Sequence, residues 1–214
     1  MCGICGIVST DRSAVIEPAV IRRMCEILAH RGPDDKGIYL TAGAALGHRR
    51  LSIIDLRPEG RQPMANEDGS VQIVFNGEVY NFAEHYQWLI ARGHRFRSRT
   101  DTEVIIHLYE ELGVRCLERL RGMFAFAIWD ERRRCLFLAR DRFGKKPLFY
   151  HFDGKRMLFA SEPKAILTYP AFVGEPDAVA IDNYIALGYV PAPLTLYLII
   201  GGLGGIALLR RRRG

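Results

Sequence analysis

The stretch that decides how this chain folds and reacts is its beginning, Met1-Cys2-Gly3-Ile4-Cys5-Gly6-Ile7. Residues 4–9 form a short apolar segment, which predicts a buried strand directly after the first cysteine. Removal of Met1, which a small second residue permits, would leave a thiol and a free α-amine on Cys2. Because such an amine has an ordinary pKa of about 7.7–8, it can act as the base for its own side chain.

Two other interpretations of these cysteines stay open from the residues alone. A cysteine near a terminus is commonly a buried or incidental thiol. The spacing Cys2-x-x-Cys5 also fits a redox or metal motif, but a thioredoxin-like site would lie between a strand and a helix. A zinc site would need a second ligand pair, and the sequence has no other CxxC and no closely spaced histidine pair.

The charge of the chain is concentrated at its end. The 214 residues carry 30 basic and 24 acidic side chains, a formal net charge of +6. Without the run Arg210–Arg213 the formal net charge falls to +2. Nucleic-acid binding would therefore have to depend on that run alone, and we expect no nucleic-acid partner. A content of 49% hydrophobic and 25% charged residues excludes a disordered or collagen-like protein.

The cysteine count and the N-terminus predict a cytoplasmic protein. Five cysteines are an odd number, which does not fit a secreted disulfide framework. The first residues have neither a basic start nor a long apolar run, so they do not form a signal peptide. We therefore expect reduced thiols.

The hydrophobic pattern predicts a layered α+β domain. Amphipathic helices are expected over residues 14–29, 82–93 and 102–112, among short strands that outnumber them. One strand begins at Val71 and is expected to stop at Asn76-Gly77, a dipeptide typical of a tight turn with positive φ. The helices can cover sheet faces, as in an α+β fold.

Seven motifs occur in an order that resembles one known family. They are Met1-Cys2-Gly3-Ile4-Cys5-Gly6-Ile7, His30-Arg31-Gly32-Pro33-Asp34, Gly47-His48-Arg49-Arg50-Leu51-Ser52-Ile53-Ile54-Asp55, Phe75-Asn76-Gly77-Glu78-Val79-Tyr80-Asn81, Ser98-Arg99-Thr100-Asp101-Thr102-Glu103, Arg121-Gly122-Met123-Phe124-Ala125-Phe126 and Ala139-Arg140-Asp141-Arg142-Phe143-Gly144-Lys145-Lys146-Pro147-Leu148. Over residues 1–193 the chain resembles the glutaminase domain of glutamine-hydrolysing asparagine synthetases, a class II amidotransferase of the N-terminal-nucleophile hydrolase superfamily. The resemblance implies a four-layer αββα sandwich.

The resemblance also implies a reaction and its catalytic residues. Cys2 matches the nucleophile that attacks the side-chain amide of L-glutamine and forms a γ-glutamyl thioester while ammonia leaves. Asn76 and Gly77 match the oxyanion hole, where one amide N–H from a side chain and one from the backbone stabilise the developing charge.

The remaining matched residues are those that bind the substrate. Arg50 matches the arginine that holds the glutamine α-carboxylate, a task suited to a bidentate guanidinium. Glu78 and Asp101 match the acids that bind the α-ammonium group. The backbone lining the pocket is matched by Leu51, Ser52, Ile53 and Ile54.

The resemblance assigns no metal and no cofactor to this chain. In the family, ATP and Mg²⁺ belong to a second, synthetase domain with a Ser-Gly-Gly-x-Asp-Ser loop, which this sequence lacks. We therefore expect the ammonia-supplying half of asparagine synthesis, with a separate synthetase domain or subunit as a partner. The alternative is a catalytically silent remnant that acts as a membrane-tethered interaction module.

Residues 194–214 are predicted to be an apolar tail outside the domain. They include an uncharged, glycine-containing stretch over 194–209, followed by the four arginines. Three interpretations stay open: a truncated or frame-shifted gene, a membrane anchor, and a sorting tail that resembles the PEP-CTERM type. The uncharged stretch is slightly short for a spanning helix, which needs about 17–25 apolar residues.

Overall fold

The computed structural model describes residues 1–174 and 177–189, and the backbone alone of 197–201 and 205–209. Within these ranges eleven strands form two antiparallel sheets, and five α-helices accompany them. The arrangement confirms the expected α+β class.

One sheet has five strands in the order β2-β3-β1-β9-β8. Its strands are β1 (Gly3–Ser9), β2 (Asp35–Thr41), β3 (Ala44–Arg50), β8 (Phe149–Phe152) and β9 (Arg156–Ala160). The N-terminal strand β1 is central, because it pairs with β3 on one side and with β9 on the other. Cys2 therefore lies just before a strand that is held on both edges.

The other sheet has six strands in the order β11-β10-β7-β6-β5-β4. Its strands are β4 (Met64–Ala65), β5 (Val71–Val79), β6 (Gly122–Asp130), β7 (Cys135–Arg140), β10 (Tyr197–Gly201) and β11 (Gly205–Leu209). Strand β5 pairs with β6 along its whole length, from Val71 opposite Asp130 to Val79 opposite Gly122.

The described residues form five α-helices, four of which lie on the outer faces of the two sheets. They are α1 (Pro18–Ile27), α2 (Phe82–Ile90), α3 (Asp101–Leu112), α4 (Pro163–Leu167) and α5 (Ala178–Leu187). Buried residues of α1 and α4 pack with the five-stranded sheet, and those of α2 and α3 pack with the six-stranded sheet. None of the residues of α5 is buried.

A third apolar cluster fills the space between the sheets and completes four layers. It joins Ile4 of β1 and Phe159 of β9 to Trp129 of β6 and Leu136 of β7, all of them buried. Side chains that alternate along β1, β3, β5, β6 and β7 supply one face to this layer and the other face to a helix layer. The four-layer αββα order expected from the resemblance is thus present.

The C-terminal segment differs from the expected tail. Its described parts, β10 and β11, pair with each other, and β10 continues the sheet next to β7, with Leu198 opposite Leu138. An apolar tail outside the fold is therefore not supported, and the four terminal arginines lie outside the described residues. In the part of the chain that the structure describes, no helix has the length and apolar character needed to cross a membrane.

Candidate active site

A cavity of about 150 Å³ opens where the two sheets meet the N-terminus. Six separated segments contribute to it: the start of the chain, the end of β3 with the loop after it, the second half of β5, the start of α3, the beginning of β6 and the loop after β7. The lining residues are Met1, Cys2, Arg50, Leu51, Ile53, Ile54, Gly60, Gln62, Phe75, Asn76, Gly77, Glu78, Thr100, Asp101, Thr102, Met123 and Lys146. All the predicted site residues except Ser52 are among them.

The Cys2 thiol is in contact with the backbone of Leu51. The Leu51 N–H donates to Sγ at 3.4 Å, and the thiol lies 3.7 Å from the Leu51 carbonyl. Burial raises the pKa of the Cys2 thiol, although the Leu51 hydrogen bond and the positive charges of the N-terminus and Arg50 oppose this rise. A protonated thiol is a weak nucleophile, so attack at neutral pH needs a base that removes its proton.

Asn76 and Gly77 lie within a strand and not in the predicted turn, and that prediction was wrong. Strand β5 continues through both residues to Val79, and Gly77 pairs with Phe124. The glycine is needed for packing, since a Cβ there would lie 2.3 Å from the Met123 carbonyl oxygen. The close approach of β6 therefore explains why a glycine stands at position 77. A positive φ does not explain it, because Gly77 has none.

The Asn76 side chain is buried beside the cavity, with 1% of its surface exposed. Its Nδ2 has no hydrogen-bond partner among the described residues. Leaving a buried amide donor unpaired costs about 1–3 kcal/mol, so such groups are rare and commonly mark a function. In this cavity the amide is free to donate to a bound oxygen atom.

Arg50 is buried and its guanidinium is held by its own loop. It donates to the carbonyls of Arg57 at 3.3 Å and Ile54 at 3.4 Å, and to that of Asp55. Gly60 permits this position, because a Cβ there would lie 2.4 Å from Nη2. A guanidinium has five N–H donors, and three hydrogen bonds to the loop leave donors available to a molecule in the cavity.

Asp101 is a buried carboxyl group at the first residue of α3. Its Oδ2 accepts a hydrogen bond from the Val79 N–H at 2.8 Å. Burial raises the pKa of Asp101 to about 6, and the nearby Glu78 carboxylate adds to the rise. At neutral pH the group is mostly ionised, and together with Glu78, whose side chain is exposed, it makes this side of the cavity negative.

The loop after β3 contributes backbone and apolar side chains. Leu51, Ile53 and Ile54 line the cavity, whereas Ser52 lies away from it and its N–H donates to Asp34 at 2.7 Å. Three of the four predicted residues of this loop therefore lie at the cavity, and the fourth, Ser52, contacts Asp34 instead.

Sequence reasoning missed several residues that support the cavity. Gln62 is buried; its Oε1 accepts from the Phe75 N–H at 2.6 Å, and its Nε2 donates to Thr102 at 3.3 Å. It thus joins β5 to α3 behind the site. Only its buried position identifies it, since its sequence neighbourhood is an ordinary turn-rich stretch.

Met1 and Lys146 are two further residues that line the cavity. The Lys146 ammonium lies 3.4 Å from the Met1 sulfur, and both side chains line the space around Cys2. With Met1 in place, part of the cavity is filled and the Cys2 nitrogen is an amide.

Comparison with known sequences identifies similar proteins. The profile of a family described as a glutamine amidotransferase domain matches residues 1–210. Asparagine synthetase [glutamine-hydrolyzing] 3 of Bacillus subtilis is 42% identical over 197 residues, which cover 91% of this chain and 32% of that protein. A putative asparagine synthetase of Methanocaldococcus jannaschii is 37% identical and covers 92% of this chain and 41% of its own length. This chain thus spans about a third of the length of such relatives.

Solved structures share the fold. The glutamine phosphoribosylpyrophosphate amidotransferase of Bacillus subtilis superposes with a TM-score of 0.70 over 98% of this chain and 49% of its own. Its sequence identity is 22%, so the likeness concerns the fold alone.

Proposed function

This chain belongs to the glutamine amidotransferase domain family, and from that premise we propose that it hydrolyses L-glutamine to glutamate and ammonia through a thioester on Cys2. One observation carries the proposal: the Cys2 thiol and the unpartnered Nδ2 of Asn76 line the same cavity. A nucleophile next to a free amide donor is the arrangement that acyl transfer requires.

The first half of the reaction forms the thioester. Once Met1 is removed, the α-amine of Cys2 takes the thiol proton and Sγ attacks the carboxamide carbon of glutamine. The displaced electron pair moves to the carboxamide oxygen, which the Asn76 side-chain N–H and the Gly77 backbone N–H stabilise. The C–N bond then breaks, the α-ammonium returns the proton to nitrogen, and ammonia leaves.

The second half regenerates the enzyme. Water adds to the thioester carbon, the α-amine takes a proton from that water, and the C–S bond breaks. The thiolate then regains its proton and glutamate is released, so that no cofactor is consumed in this chain.

The charges of the cavity fit a small zwitterion. Arg50 supplies a buried cation for the α-carboxylate, and Asp101 with Glu78 supplies the negative side for the α-ammonium. Leu51, Ser52, Ile53 and Ile54 would present the backbone and apolar surface between these two ends. A free amino acid carries both an α-carboxylate and an α-ammonium group, whereas a glutamine within a protein chain carries neither. Charged partners for both groups therefore favour the free amino acid.

We further propose that the ammonia is passed to a synthetase domain or subunit. The curated relatives are longer than this chain and are described as glutamine-hydrolysing asparagine synthetases. Asparagine synthesis, with its ATP and Mg²⁺, would belong to that other part, and a cytoplasmic location would suit the supply of glutamine. The membrane-tethered alternative gains no support from any described helix.

The test is ammonia release from L-glutamine by the purified chain. Cys2→Ala should abolish turnover, whereas Cys135→Ser, which changes a half-buried thiol on β7, should leave it intact. A glutamine analogue with an electrophilic side chain should label Cys2 alone. Equal turnover in the Cys2→Ala variant would exclude the mechanism.

A further inference from the structure

A second group of ionisable side chains gathers near the C-terminal half of α3. It consists of Glu67 from the β4–β5 turn, His94 from the segment after α2, and His107 and Glu110 from α3 itself. One potential ligand atom from each of the four residues lies within 4.8 Å of all the others. His107 and Glu110 are three positions apart on the helix and therefore share a face.

The distances in this group, all within 4.8 Å, are near those around a tetrahedral metal ion. His94 Nδ1 lies 3.4 Å from Glu67 Oε1 and 3.7 Å from Glu110 Oε2. His107 Nδ1 lies 3.7 Å from Glu67 Oε2 and 2.8 Å from Glu110 Oε2. Ligands about 2.0–2.1 Å from a tetrahedral Zn²⁺ are about 3.4 Å apart, so small side-chain rotations would complete the site.

The two imidazoles are held in place before any ion binds. His107 is buried, with 1% of its side chain exposed, and its ring lies 4.4 Å from that of His94. Phe96 packs edge-on against His107 at 4.8 Å. Both Nδ1 atoms already face the carboxylates. Binding an ion would therefore cost the two side chains little conformational entropy.

A second layer of hydrogen bonds orients three of the four ligands, all but His107. The outer nitrogen of His94, Nε2, lies 3.2 Å from Glu111 Oε1, the carboxylate–histidine pairing that commonly supports metal ligands. Glu110 Oε1 accepts from the Asn66 amide at 2.6 Å, which leaves Oε2 toward the histidines. Glu67 Oε1 accepts from the Arg95 N–H at 2.9 Å.

The charge of the group also favours a cation. Glu67, Glu110 and Glu111 bring three carboxylates to two imidazoles, and the Arg92 guanidinium lies 3.3 Å from the outermost, Glu111. One divalent ion would compensate the charge of these carboxylates.

We propose that Glu67, His94, His107 and Glu110 bind one Zn²⁺ ion in a closed, structural site. Two imidazole nitrogens with two carboxylate oxygens suit a borderline transition metal, whereas Ca²⁺ and Mg²⁺ prefer oxygen ligands throughout. Four protein ligands leave no open position for a reacting water. The ion would join the β4–β5 turn and the segment after α2 to the helix whose first residue is Asp101.

The experiment measures zinc itself and needs no glutaminase activity. The full chain carrying Cys2→Ala, which keeps Zn²⁺ off the nucleophile, is stripped with a chelator and dialysed against zinc under reducing conditions. We expect one equivalent of bound zinc and a rise in Tm, because a ligand that binds the folded chain stabilises it. Co²⁺ in its place should give the intense visible absorption of tetrahedral coordination.

The variants separate this site from other zinc-binding groups. Glu67→Gln and His94→Gln, which alter partly exposed ligands, should each weaken binding more than about 100-fold, and Glu111→Gln about 10–100-fold. His85→Gln, a histidine on α2 whose Nε2 lies near the Arg119 carbonyl, should bind zinc like the parent. Circular dichroism checks that each variant is folded. Binding well below one equivalent, or equal affinity in His94→Gln and His85→Gln, would overturn the proposal.

Discussion

At the scale of single residues, burial explains the chemistry of the site. It raises the pKa of the Cys2 thiol, so this proposed nucleophile needs a base. It also leaves Asn76 Nδ2 without a hydrogen-bond partner among the residues that the structure describes, so a donor is ready for a substrate oxygen. The unpaired amide donor reduces the stability of the empty protein and can stabilise a transition state, which is typical of active sites.

Asn76→Ala tests the oxyanion role of the amide. Because removal of one such donor costs about 10²–10³ in rate, kcat should fall by that factor while KM changes little. Stability should not fall through a lost hydrogen bond, since Nδ2 makes none with the described residues. Steady-state kinetics and thermal unfolding provide the two readouts.

Asn81→Ala is the matched control for that variant. Asn81 is also a buried amide, but it donates to the Arg119 carbonyl and accepts from the Arg121 N–H, each at 2.9 Å. Its loss should lower the free energy of unfolding by about 1–3 kcal/mol and leave kcat unchanged. The opposite pattern in the two variants would remove Asn76 from the mechanism.

The pH dependence of glutamine binding tests Asp101. Because the pKa of this carboxyl is raised to about 6, it is mostly charged at pH 7 and mostly neutral at pH 5. A neutral acid does not form an ion pair with the α-ammonium, so Kd should rise about tenfold over that interval. Calorimetry on the Cys2→Ala chain measures this without turnover.

Asp101→Asn should bind glutamine weakly and nearly independently of pH over the same interval. A variant that retained the tenfold change would show that another group titrates, and would contradict the assignment.

At the scale of secondary-structure elements, β5 determines where the proposed oxyanion donors lie. Its pairing with β6 keeps Asn76 and Gly77 in extended backbone beside the cavity. The carboxyl of Asp101 then accepts the Val79 N–H at the end of the same strand. One strand therefore positions both ends of the proposed substrate site.

Gly77→Ala tests this close packing. The added Cβ would lie 2.3 Å from the Met123 carbonyl oxygen and 2.7 Å from the Phe124 Cα, and backbone cannot move aside easily. We expect a loss of about 1–3 kcal/mol in the free energy of unfolding, measured with urea. Amide hydrogen exchange in β5 and β6 should become faster.

Gly154→Ala gives the comparison for that experiment. Gly154 has a positive φ of 88°, but a Cβ there meets no atom within 4 Å. It should cost about 1–2 kcal/mol through backbone strain while the exchange in β5 and β6 stays unchanged. Unchanged exchange in Gly77→Ala as well would refute the packing argument.

At the scale of the whole molecule, the central position of β1 sets the place of the proposed nucleophile, Cys2. The strand is paired on both sides, so Cys2 is held at the edge of the cavity and cannot follow a mobile terminus. The α-amine proposed as its base then depends on a single covalent event, the removal of Met1.

A chain that keeps one residue before Cys2 should fold normally and lose turnover. An acylated nitrogen cannot accept the thiol proton, and Met1 itself fills part of the cavity. Intact mass identifies the processed and unprocessed forms, and an extension cleaved to expose Cys2 should restore ammonia release. Full activity in the extended form would contradict the proposed base.

Much of the fold and of the site could be predicted from the sequence, because their signals are local. The α+β class follows from short apolar strands among amphipathic helices, and Cys2 is recognisable from its position after Met1. The ordered motifs also identified residues from four segments that line one cavity. The sequence alone could not show whether the domain ends at residue 193 or continues as a further strand of the sheet. The boundary at residue 193 stays a prediction.

The sequence by itself determined the residue types of the site and the periodicity of the elements, since both are properties of neighbouring residues. Only the tertiary structure decided that Asn76-Gly77 is strand, because its partner β6 is more than forty residues away in the chain. It also brought His94 and His107 to 4.4 Å and placed Gln62 behind the site. Contacts between distant segments arise from the packing of sheets and helices, and no local pattern encodes them.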